Sequence, residues 1–346
     1  MDRGTGMEYT GVSGRVGRVI CIAGSTASGK TALALQLARR YPLALISVDS
    51  GQVYRGLDIG TAKLSAELLA QYPHELVDTR NIIEPFSAAD FCSEAMAIIC
   101  RAWKRQQVPL LVGGTLFYFS ALLNGLGKLP TADHKLRGRI LRRAQLLGWP
   151  ALHDQLQRRD PDAAARIDPN DSQRIQRALE INLLTGQPVP AGNSAAGLLQ
   201  KGVEVLQLAL AVPDRSVLHQ RITRRFDAML AAGLVDEVAA IRQTWGDTET
   251  LPAMRSVGYR QVWRFLSGDL QRRQMRDSAL AATRQLAKRQ LTWLRNSPGQ
   301  VWFDATDPDL VSGSVLRYLA ATGMREKPER LNSSGTGRTL SSDSSR

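Results

Sequence analysis

The sequence predicts an α/β protein in which a parallel sheet carries a mainly helical insertion. Three apolar runs have the length and composition of buried strands: residues 19–23, 43–48 and 108–112. Segments with helical periodicity separate these runs, and buried strands joined by helices are typical of a parallel sheet. Residues 131–199 are rich in Arg, Gln and Ala and contain no clear strand run, which predicts the helical insertion.

The other elements can be placed in chain order. A helix at 31–38 follows the first apolar run, and a second helix at about 88–104 precedes the third run. A further apolar run at 203–212 predicts a return of the chain to the sheet. Long helices then extend to about residue 295.

Domain boundaries follow from these elements and from composition. We predict a core formed by residues 18–130 and 203–312, with an insertion domain at 131–202. Residues 1–17 have the polar, glycine-rich composition of a flexible arm. Residues 325–346 have the Ser- and Gly-rich composition of a disordered tail.

A glycine-rich loop joins the first predicted strand to the first predicted helix. It matches the phosphate-loop pattern G-x-x-x-x-G-K-[ST] in full, with the residues Gly24, Ser25, Thr26, Ala27, Ser28, Gly29, Lys30 and Thr31. Backbone N–H groups at a helix N-terminus face an anion, Lys30 adds a positive charge, and the Thr31 hydroxyl can ligate Mg²⁺. The loop predicts a P-loop NTPase-like sheet and a phosphate or pyrophosphate ester as ligand. It does not identify that compound or imply that phosphate is transferred.

The balance of charges is strongly basic, with a net charge of +13 over 346 residues. This excess favours a polyanionic partner, most simply nucleic acid, although a merely basic surface is the alternative. The three cysteines and four histidines lack disulfide or zinc-ligand spacing. No apolar stretch approaches about 18 residues, and the N-terminus lacks an apolar signal region, so we expect a cytosolic protein without a membrane span.

Two further segments follow predicted strands at the edge where ligands of parallel sheets bind. Asp49 ends the second strand, and a carboxylate there can accept a proton or hold a metal. The alternative is that Asp49 simply caps the next helix. Gly113, Gly114 and Thr115 end the third strand, where small residues allow a ligand to approach the backbone or merely form a tight turn.

Several longer blocks resemble the bacterial tRNA dimethylallyltransferases (tRNA isopentenyltransferases). They occur in the family's order and comprise the phosphate loop and residues 49–63, 73–78, 86–91, 110–118, 168–180, 257–261 and 283–295. The resemblance extends over about residues 19–303. Ser25 and Leu64 stand where the family usually has Pro, and Asp168 where His is common; none of these changes removes a group with a proposed chemical role.

The resemblance implies a reaction and a cofactor. Dimethylallyl diphosphate would donate its five-carbon group to the exocyclic amine of the adenosine immediately 3′ of the tRNA anticodon. The phosphate loop, Lys30 and Mg²⁺ would then stabilise the leaving diphosphate, and Asp49 would act as general base. Thr115 would lie near the reacting amine and Arg137 on the diphosphate. Without the resemblance, Arg137 would be interpreted as one charge on a solvated helix face.

The resemblance and the basic segments together predict the tRNA-binding residues. The helix at 271–295 contains seven Lys or Arg and one acid, with Arg284, Lys288 and Arg295 along one stripe. Gln52 is a candidate for binding the edge of a flipped adenine, and the insertion would grip the anticodon loop. The full predicted set is Asp49, Ser50, Gly51, Gln52, Gln173, Arg174, Ile175, Gln176, Arg177, Arg255, Ser256, Val257, Gly258, Tyr259, Arg260, Lys288, Arg289, Gln290, Leu291, Thr292, Trp293, Leu294 and Arg295.

Two other functions are compatible with the phosphate loop. A small-molecule kinase would need sites for ATP and an acceptor, and it would not explain the basic surface. An RNA-binding protein that uses a nucleotide as a switch would bind tRNA and leave it unmodified. The blocks that follow the loop have no role in either alternative, and we expect a monomer without an obligate protein partner.

Overall fold

The computed structural model describes residues 17–127, 129–190, 195–246, 248–249 and 251–327. Within these residues, six strands form one sheet in which every neighbouring pair is parallel. The strands are β1 (Arg18–Gly24), β2 (Leu43–Val48), β3 (His74–Glu75), β4 (Val108–Gly113), β5 (Glu204–Ala211) and β6 (Gln300–Asp304). Their order across the sheet is β3-β2-β4-β1-β5-β6. The predicted parallel α/β fold is therefore confirmed.

Helices connect the strands and cover both faces of the sheet. Those of the core are α1 (Lys30–Arg40), α2 (Ala66–Gln71), α3 (Ala88–Lys104) and α4 (Leu116–Asn124). After β5 come α9 (Arg215–Ala231), α10 (Leu234–Trp245), a 3₁₀ helix (Ala253–Arg255), α11 (Tyr259–Leu266), α12 (Arg272–Arg295) and, after β6, α13 (Pro308–Ala321). The insertion consists of α5 (His134–Leu147), α6 (Trp149–Arg159), α7 (Pro161–Ala165) and α8 (Ser172–Thr185).

Alternation along the central strand divides the core into two layers. Ile20 and Ile22 of β1 belong to a cluster on one face of the sheet, whereas Val19 and Cys21 belong to a cluster on the other. Successive side chains of a strand point to opposite faces, so a run that is apolar throughout must be covered on both sides. This explains why β1 reads as a continuous apolar run in the sequence.

The insertion has a small core of its own. Ile140 of α5, Leu152 and Leu156 of α6, and Ile175 and Leu179 of α8 form a separate hydrophobic cluster. The side chain of Asp133 accepts the backbone N–H of Leu136 at 2.9 Å and so starts α5. These four helices lie in the stretch that the sequence indicated to be helical and free of strands.

Two strands and one helix toward the ends of the sheet or chain were not predicted, and neither was the short helix α2. β3 pairs through only two residues, too short for a periodic signal. β6 is an edge strand with partly exposed residues, so it lacks the apolar run of the inner strands. α13 follows it and packs Val315 and Leu319 into the core. The long helices are therefore not the last elements of the core.

The predicted arm and tail lie almost wholly outside the described residues. Of the arm only Gly17 is described, and of the tail only residues 325–327. Lys327 is held against α1, because its amide donates to the carbonyl oxygen of Arg40 and its ammonium donates to that of Ala38, both at 2.7 Å. Disorder of residues 325–346 stays a prediction, and only residues 325–327 of that segment lie within the described part of the chain.

Candidate active site

The segments singled out after three strands meet at one cavity of about 660 Å³ at the carboxyl edge of the sheet. The phosphate loop follows β1, Asp49 follows β2, and Gly113 to Thr115 follow β4. Because β1 and β2 both pair with β4, these three ends are neighbours in space. Lys30, Asp49 and Thr115 all line the cavity, which brings together three of the four residues predicted for the reaction.

The backbone of the phosphate loop has a shape that its small residues allow. Gly29 has φ 88° and Ala27 has φ 62°, so both lie in the left-handed region. A Cβ atom added at Gly24 would lie 2.5 Å from the carbonyl oxygen of Leu210 in β5. Glycine at 24 therefore lets the loop leave β1 close to the neighbouring strand.

Lys30 occupies an electropositive and poorly hydrated position. Its Nζ donates to the carbonyl oxygen of Ser25 at 2.6 Å and lies 3.5 Å from the Ser28 hydroxyl. Burial, and then the nearby Arg225, lower the pKa of Lys30 to about 7, while Asp49 acts in the opposite direction. An anion bound in the cavity would raise the pKa of Lys30 again, because it favours the charged ammonium.

Arg225 is a site residue that the sequence reasoning missed. It lies on α9, lines the cavity, and interacts electrostatically with both Lys30 and Asp49. Burial lowers the pKa of Arg225, with Asp49 opposing that effect. The only signal in the sequence is an arginine directly before the apolar Phe226, which is ambiguous in a chain this basic. Its role follows from the packing of α9 over the phosphate loop.

Asp49 satisfies both interpretations that the sequence left open. Its Oδ1 accepts the backbone N–H groups of Gly51 at 2.8 Å and of Gln52 at 3.3 Å, as in a capped turn. The same side chain lines the cavity, and no hydrogen bond from the described residues occupies Oδ2. The turn thus fixes the carboxylate while one oxygen remains for a ligand.

Thr115 is connected directly to the Asp49 turn. Its Oγ1 accepts the backbone N–H of Ser50 at 3.0 Å, and it lies 3.4 Å from the Ser50 hydroxyl. Thr115 is also the residue that precedes α4. The threonine and the carboxylate are therefore held together by the ends of two neighbouring strands.

Gln52 lines the cavity, but its amide is already engaged. The Ser47 hydroxyl donates to its Oε1 at 2.9 Å, and its Nε2 donates to the carbonyl oxygen of Thr61 at 3.3 Å. Binding of an adenine edge by Gln52 would have to replace or share one of these hydrogen bonds. In this structure the Gln52 side chain therefore links Ser47 to Thr61 at the wall of the cavity.

Arg137 does not lie where we expected it. It is on α5 of the insertion and is not among the lining residues of the cavity. Its guanidinium donates to Glu180 at 2.9 and 3.0 Å, and Arg177 donates to the same carboxylate at 2.5 Å. Burial alone would raise the pKa of Glu180, but hydrogen bonds, first from Arg137 and then from Arg177 and the Asp133 amide, lower it overall. The expected contact of Arg137 with the diphosphate is therefore replaced by an ion pair within the insertion.

The predicted tRNA-binding residues separate into exposed and buried groups. Arg174, Arg289 and Trp293 are exposed and line both the first cavity and an adjoining cavity of about 880 Å³. Further predicted residues line one of these cavities: Ser50, Gly51, Arg255, Ser256, Val257, Gly258 and Gln290 in the first, and Lys288, Thr292 and Leu294 in the second. Gln173, Arg260 and Arg295 are exposed elsewhere on the surface.

Several members of that predicted set have buried or partly buried side chains, so those side chains are not exposed for a direct RNA contact in this structure. Ile175 and Leu294 belong to hydrophobic clusters, and Leu291 packs against the core. Tyr259 is fully buried, and its hydroxyl donates to Glu237 at 2.6 Å. Their positions on basic helices misled the sequence reasoning, because a helix presents an inner face as well as an outer one.

Two more residues of the set make contacts inside the protein. Gln290 is buried and bridges the phosphate loop to Gly114, with 2.8 Å to the Thr26 amide and 2.9 Å to the Gly114 carbonyl oxygen. Gln176 donates to the carbonyl oxygen of Arg137 at 3.2 Å within the insertion. Gln290 thus belongs to the architecture of the site, and Gln176 to that of the insertion.

Known proteins resemble this chain over most of its length. The family model described as IPP transferase matches residues 52–297. A tRNA dimethylallyltransferase of Thiobacillus denitrificans is 53% identical over 304 residues, covering 88% of this chain and 97% of that protein. One of Azoarcus sp. is 52% identical over 309 residues, covering 87% of this chain and 97% of that protein.

Solved structures show the same relationship. The full-length tRNA isopentenylpyrophosphate transferase of Bacillus halodurans is 36% identical with a TM-score of 0.64, covering 88% of this chain and 96% of that chain. A eukaryotic dimethylallyltransferase acting on tRNA is 26% identical with a TM-score of 0.73, covering 91% of this chain and 82% of that chain. The cavity residues from Gln52 to Trp293 all fall within the matched region, and the chain belongs to the IPP transferase family.

Proposed function

We propose that the protein transfers a dimethylallyl group from dimethylallyl diphosphate to tRNA. The acceptor is the exocyclic amine of the adenosine immediately 3′ of the anticodon, and the products are N6-(dimethylallyl)adenosine and diphosphate. The observation that carries the proposal is the pairing of Lys30 with Asp49 across one cavity, in a chain of this family. The names of the similar proteins support the same reaction.

One side of the cavity suits the leaving group. The phosphate-loop amides, Lys30 and Arg225 supply positive electrostatic potential where charge develops as the carbon–oxygen bond of the donor breaks. Burial, and then the positive charge of Arg225, lower the pKa of Lys30, so the two cations favour an anionic ligand. They gain a counter-charge when the diphosphate binds, so this arrangement stabilises diphosphate as it leaves.

The other side suits the nucleophile. A new bond forms between the amine nitrogen and the first carbon of the donor, and the amine then loses a proton. Oδ2 of Asp49 accepts that proton, while Oδ1 remains fixed by the Gly51 and Gln52 amides. Thr115, which is tied to Ser50, orients the amine through its hydroxyl. General-base assistance of this kind contributes about 10²–10⁴ in rate.

Mg²⁺ is the cofactor that this donor set fits. The Thr31 hydroxyl lines the cavity and is an oxygen ligand of the kind Mg²⁺ prefers. The described part of the chain contains no cluster of three His, Cys, Asp or Glu side chains that could hold a metal alone. A Mg²⁺ ion held partly by substrate phosphates matches this sparse set, and it would neutralise charge on the diphosphate.

The exposed cations beside the cavities suit the RNA. Arg174, Lys288 and Arg289 lie around the two adjoining cavities, and Trp293, which is 39% exposed, adds an aromatic side chain. Cations bind the RNA backbone and exposed aromatic rings stack on bases. A target base turned out of its stack would reach Asp49 from this side.

The first experiment is mass spectrometry of tRNA after incubation with the protein, Mg²⁺ and dimethylallyl diphosphate. We expect a gain of one five-carbon unit on the adenosine 3′ of the anticodon. Asp49→Asn keeps an oxygen for the Gly51 and Gln52 amides but removes the base, so turnover should fall about 10²–10⁴-fold with tRNA affinity retained. Lys30→Ala should also lose turnover, and the exposed Lys104→Ala is the matched control.

Other outcomes of this experiment would favour the alternatives. Unmodified tRNA that still binds the protein would indicate an RNA-binding switch. Unmodified tRNA with consumption of ATP would indicate a kinase. Equal loss of tRNA binding and of rate in Asp49→Asn would contradict the role of general base.

We also propose that the protein acts in the cytoplasm as a monomer. None of the helices in the described residues is both long enough and apolar enough to span a membrane. Light scattering coupled to size-exclusion chromatography tests the monomer, and a dimer that dissociates on mutation of a cavity residue would contradict it.

A further inference from the structure

We propose that Gln290 is a positioning residue that holds the phosphate loop in fixed relation to the turn carrying Thr115. The inference deepens the proposed function and rests on it, since it concerns how the same site keeps its two sides aligned. Gln290 lies on α12, which is distant in sequence from both segments that it contacts. Neither contact was expected, because the sequence reasoning assigned Gln290 to RNA binding.

The bridge consists of two short hydrogen bonds from one side chain. Oε1 of Gln290 accepts the Thr26 amide at 2.8 Å, and Nε2 donates to the carbonyl oxygen of Gly114 at 2.9 Å. The side chain is only 8% exposed, so water competes poorly for either bond. Thr26 belongs to the phosphate loop and Gly114 to the end of β4, so a third element fixes the distance between them.

The contact at Gly114 continues to the general base. Thr115 is the next residue, and its Oγ1 accepts the amide of Ser50 at 3.0 Å. The adjacent Gly51 amide donates to Oδ1 of Asp49 at 2.8 Å. A continuous path of hydrogen bonds and single peptide links therefore joins the loop that binds the leaving group to the carboxylate that accepts the proton.

A primary amide at position 290 meets a requirement that few side chains satisfy. The loop supplies a donor and the turn supplies an acceptor, and an amide group offers one acceptor and one donor in the same plane. The turn in return leaves room for it, because a Cβ atom at Gly114 would lie 2.6 Å from Nε2 of Gln290. The glycine and the glutamine are thus two parts of one contact.

Loss of the two Gln290 hydrogen bonds should lower the rate of the reaction more than the affinity for tRNA. The Thr26 amide and the Gly114 carbonyl would lose their partners, and the loop, with Ala27 in the left-handed region, would be free to shift. A misplacement of about 1 Å at reacting groups can cost about 100-fold in rate. The outer face of α12, with Lys288 and Arg289, would remain in place to contact tRNA.

The test uses Gln290→Met, Gly114→Ala and the double variant of the full chain. Gln290→Met keeps the length of the side chain but removes both hydrogen bonds, and Gly114→Ala displaces the amide while leaving Gln290 intact. Calorimetry measures the affinity for inorganic pyrophosphate with Mg²⁺, filter binding measures tRNA affinity, and steady-state kinetics give kcat and KM. The exposed Gln243→Met on α10 is the control for the substitution.

We expect each single variant to lower kcat/KM for dimethylallyl diphosphate about 100-fold and pyrophosphate affinity about tenfold, with tRNA affinity unchanged. The double variant should be little worse than either single variant, because both disrupt the same contact. Unchanged kcat/KM and pyrophosphate affinity in a folded variant would overturn the proposal. So would a parallel loss of tRNA and pyrophosphate binding with a lower Tm, which indicates general destabilisation.

Failure of the proposed function would look different. If the wild-type protein does not prenylate tRNA, the proposed reaction is wrong, whatever the variants do. A loss of pyrophosphate affinity in Gln290→Met and Gly114→Ala would still support the positioning role in that case. If neither substitution changes the affinity for pyrophosphate, the positioning role of Gln290 is contradicted even if the wild-type enzyme is active.

Discussion

Lys30 shows how a single residue is placed under opposing demands. Burial, and then the nearby Arg225, lower the pKa of Lys30 to about 7, although its ammonium donates to the carbonyl oxygen of Ser25. A diphosphate needs the charged form, and it would restore that form by supplying negative charge.

The lowered pKa of Lys30 predicts that the stability of the protein depends on pH. The pKa of Lys30 is about 7 in the folded protein and near the ordinary 10.5 in the unfolded chain, so the unfolded chain binds the proton more tightly. Its contribution to stability should therefore rise with pH between about 7 and 10.5. Lys30→Met has no proton to bind, so it should exceed the wild type in stability near neutral pH, by a margin that shrinks toward pH about 9.

Urea denaturation at a series of pH values measures this margin. The exposed Lys104→Met provides the control, because its ammonium remains in solvent. A difference between Lys30→Met and the wild type that stays constant with pH would contradict the prediction. The same variant should lose affinity for pyrophosphate, so stability and ligand binding should change in opposite directions.

At the scale of elements, the connection after β2 is held by helices that lie far along the chain. Glu237 of α10 accepts the amides of Asp58 at 3.1 Å, Ile59 at 2.7 Å and Gly60 at 3.3 Å. The Tyr259 hydroxyl of α11 donates to the same carboxylate at 2.6 Å. Burial, and then Glu237, raise the pKa of Tyr259, so the phenol remains a donor. The contacts of Glu237 fix the segment that leads to Thr61, and the carbonyl oxygen of Thr61 accepts a hydrogen bond from Gln52.

Removal of the Tyr259 hydroxyl tests whether this residue is structural. Tyr259→Phe should lower the free energy of unfolding by about 1.5–3 kcal/mol, because a hydrogen bond to a charged group is lost. The salt dependence of tRNA affinity should not change, since the side chain is buried. Chemical denaturation and salt titration measure the two effects, with Tyr318→Phe on α13 as control. A smaller salt slope would restore Tyr259 as an RNA contact.

The outer face of α12 leads to a prediction about RNA. Lys288 is exposed at the second cavity, so Lys288→Gln should weaken tRNA binding and reduce the slope of log affinity against log salt by about 0.7–0.9 if it contacts one phosphate. Arg273→Gln, at the exposed start of the same helix and outside both cavities, is the control. Equal slopes for Lys288→Gln and the wild type would rule out a phosphate contact.

At the scale of the whole molecule, the sheet and the insertion have separate hydrophobic cores. Leu156 is fully buried in the insertion cluster, whereas the cavity is built on the sheet. Leu156→Ala should destabilise the insertion by about 2–5 kcal/mol through loss of buried surface and creation of a cavity. We expect weaker tRNA binding but unchanged affinity for pyrophosphate.

Hydrogen exchange locates the destabilised residues, and calorimetry measures pyrophosphate binding. Faster exchange should be confined to the helices α5 to α8. Loss of pyrophosphate binding together with tRNA binding would contradict an independent role for the insertion. Leu141→Ala is a suitable control, because that leucine is on α5 but is 45% exposed.

Local patterns predicted much of this architecture because their physical causes are local. The motif from Gly24 to Thr31 needs only its own glycines and the adjoining strand and helix, and β2 was predicted with its observed bounds. β6 and α13 escaped prediction, because an edge strand with exposed residues has no continuous apolar run. The partners of Arg137 and Tyr259 within the protein, Glu180 and Glu237, could not be predicted because they are distant in sequence.

The parallel fold, the phosphate loop and the family resemblance could all be predicted from local sequence patterns. The same patterns predicted that Lys30, Asp49 and Thr115 lie at one edge of the sheet. Tertiary structure alone decided that Arg225 faces Lys30, that Gln290 joins the loop to Gly114, and that Tyr259 is buried. The hydrophobic periodicity of a helix predicts that one of its faces is buried. Which residues that face contacts depends on how the helices pack on the sheet. Those contacts complete the site.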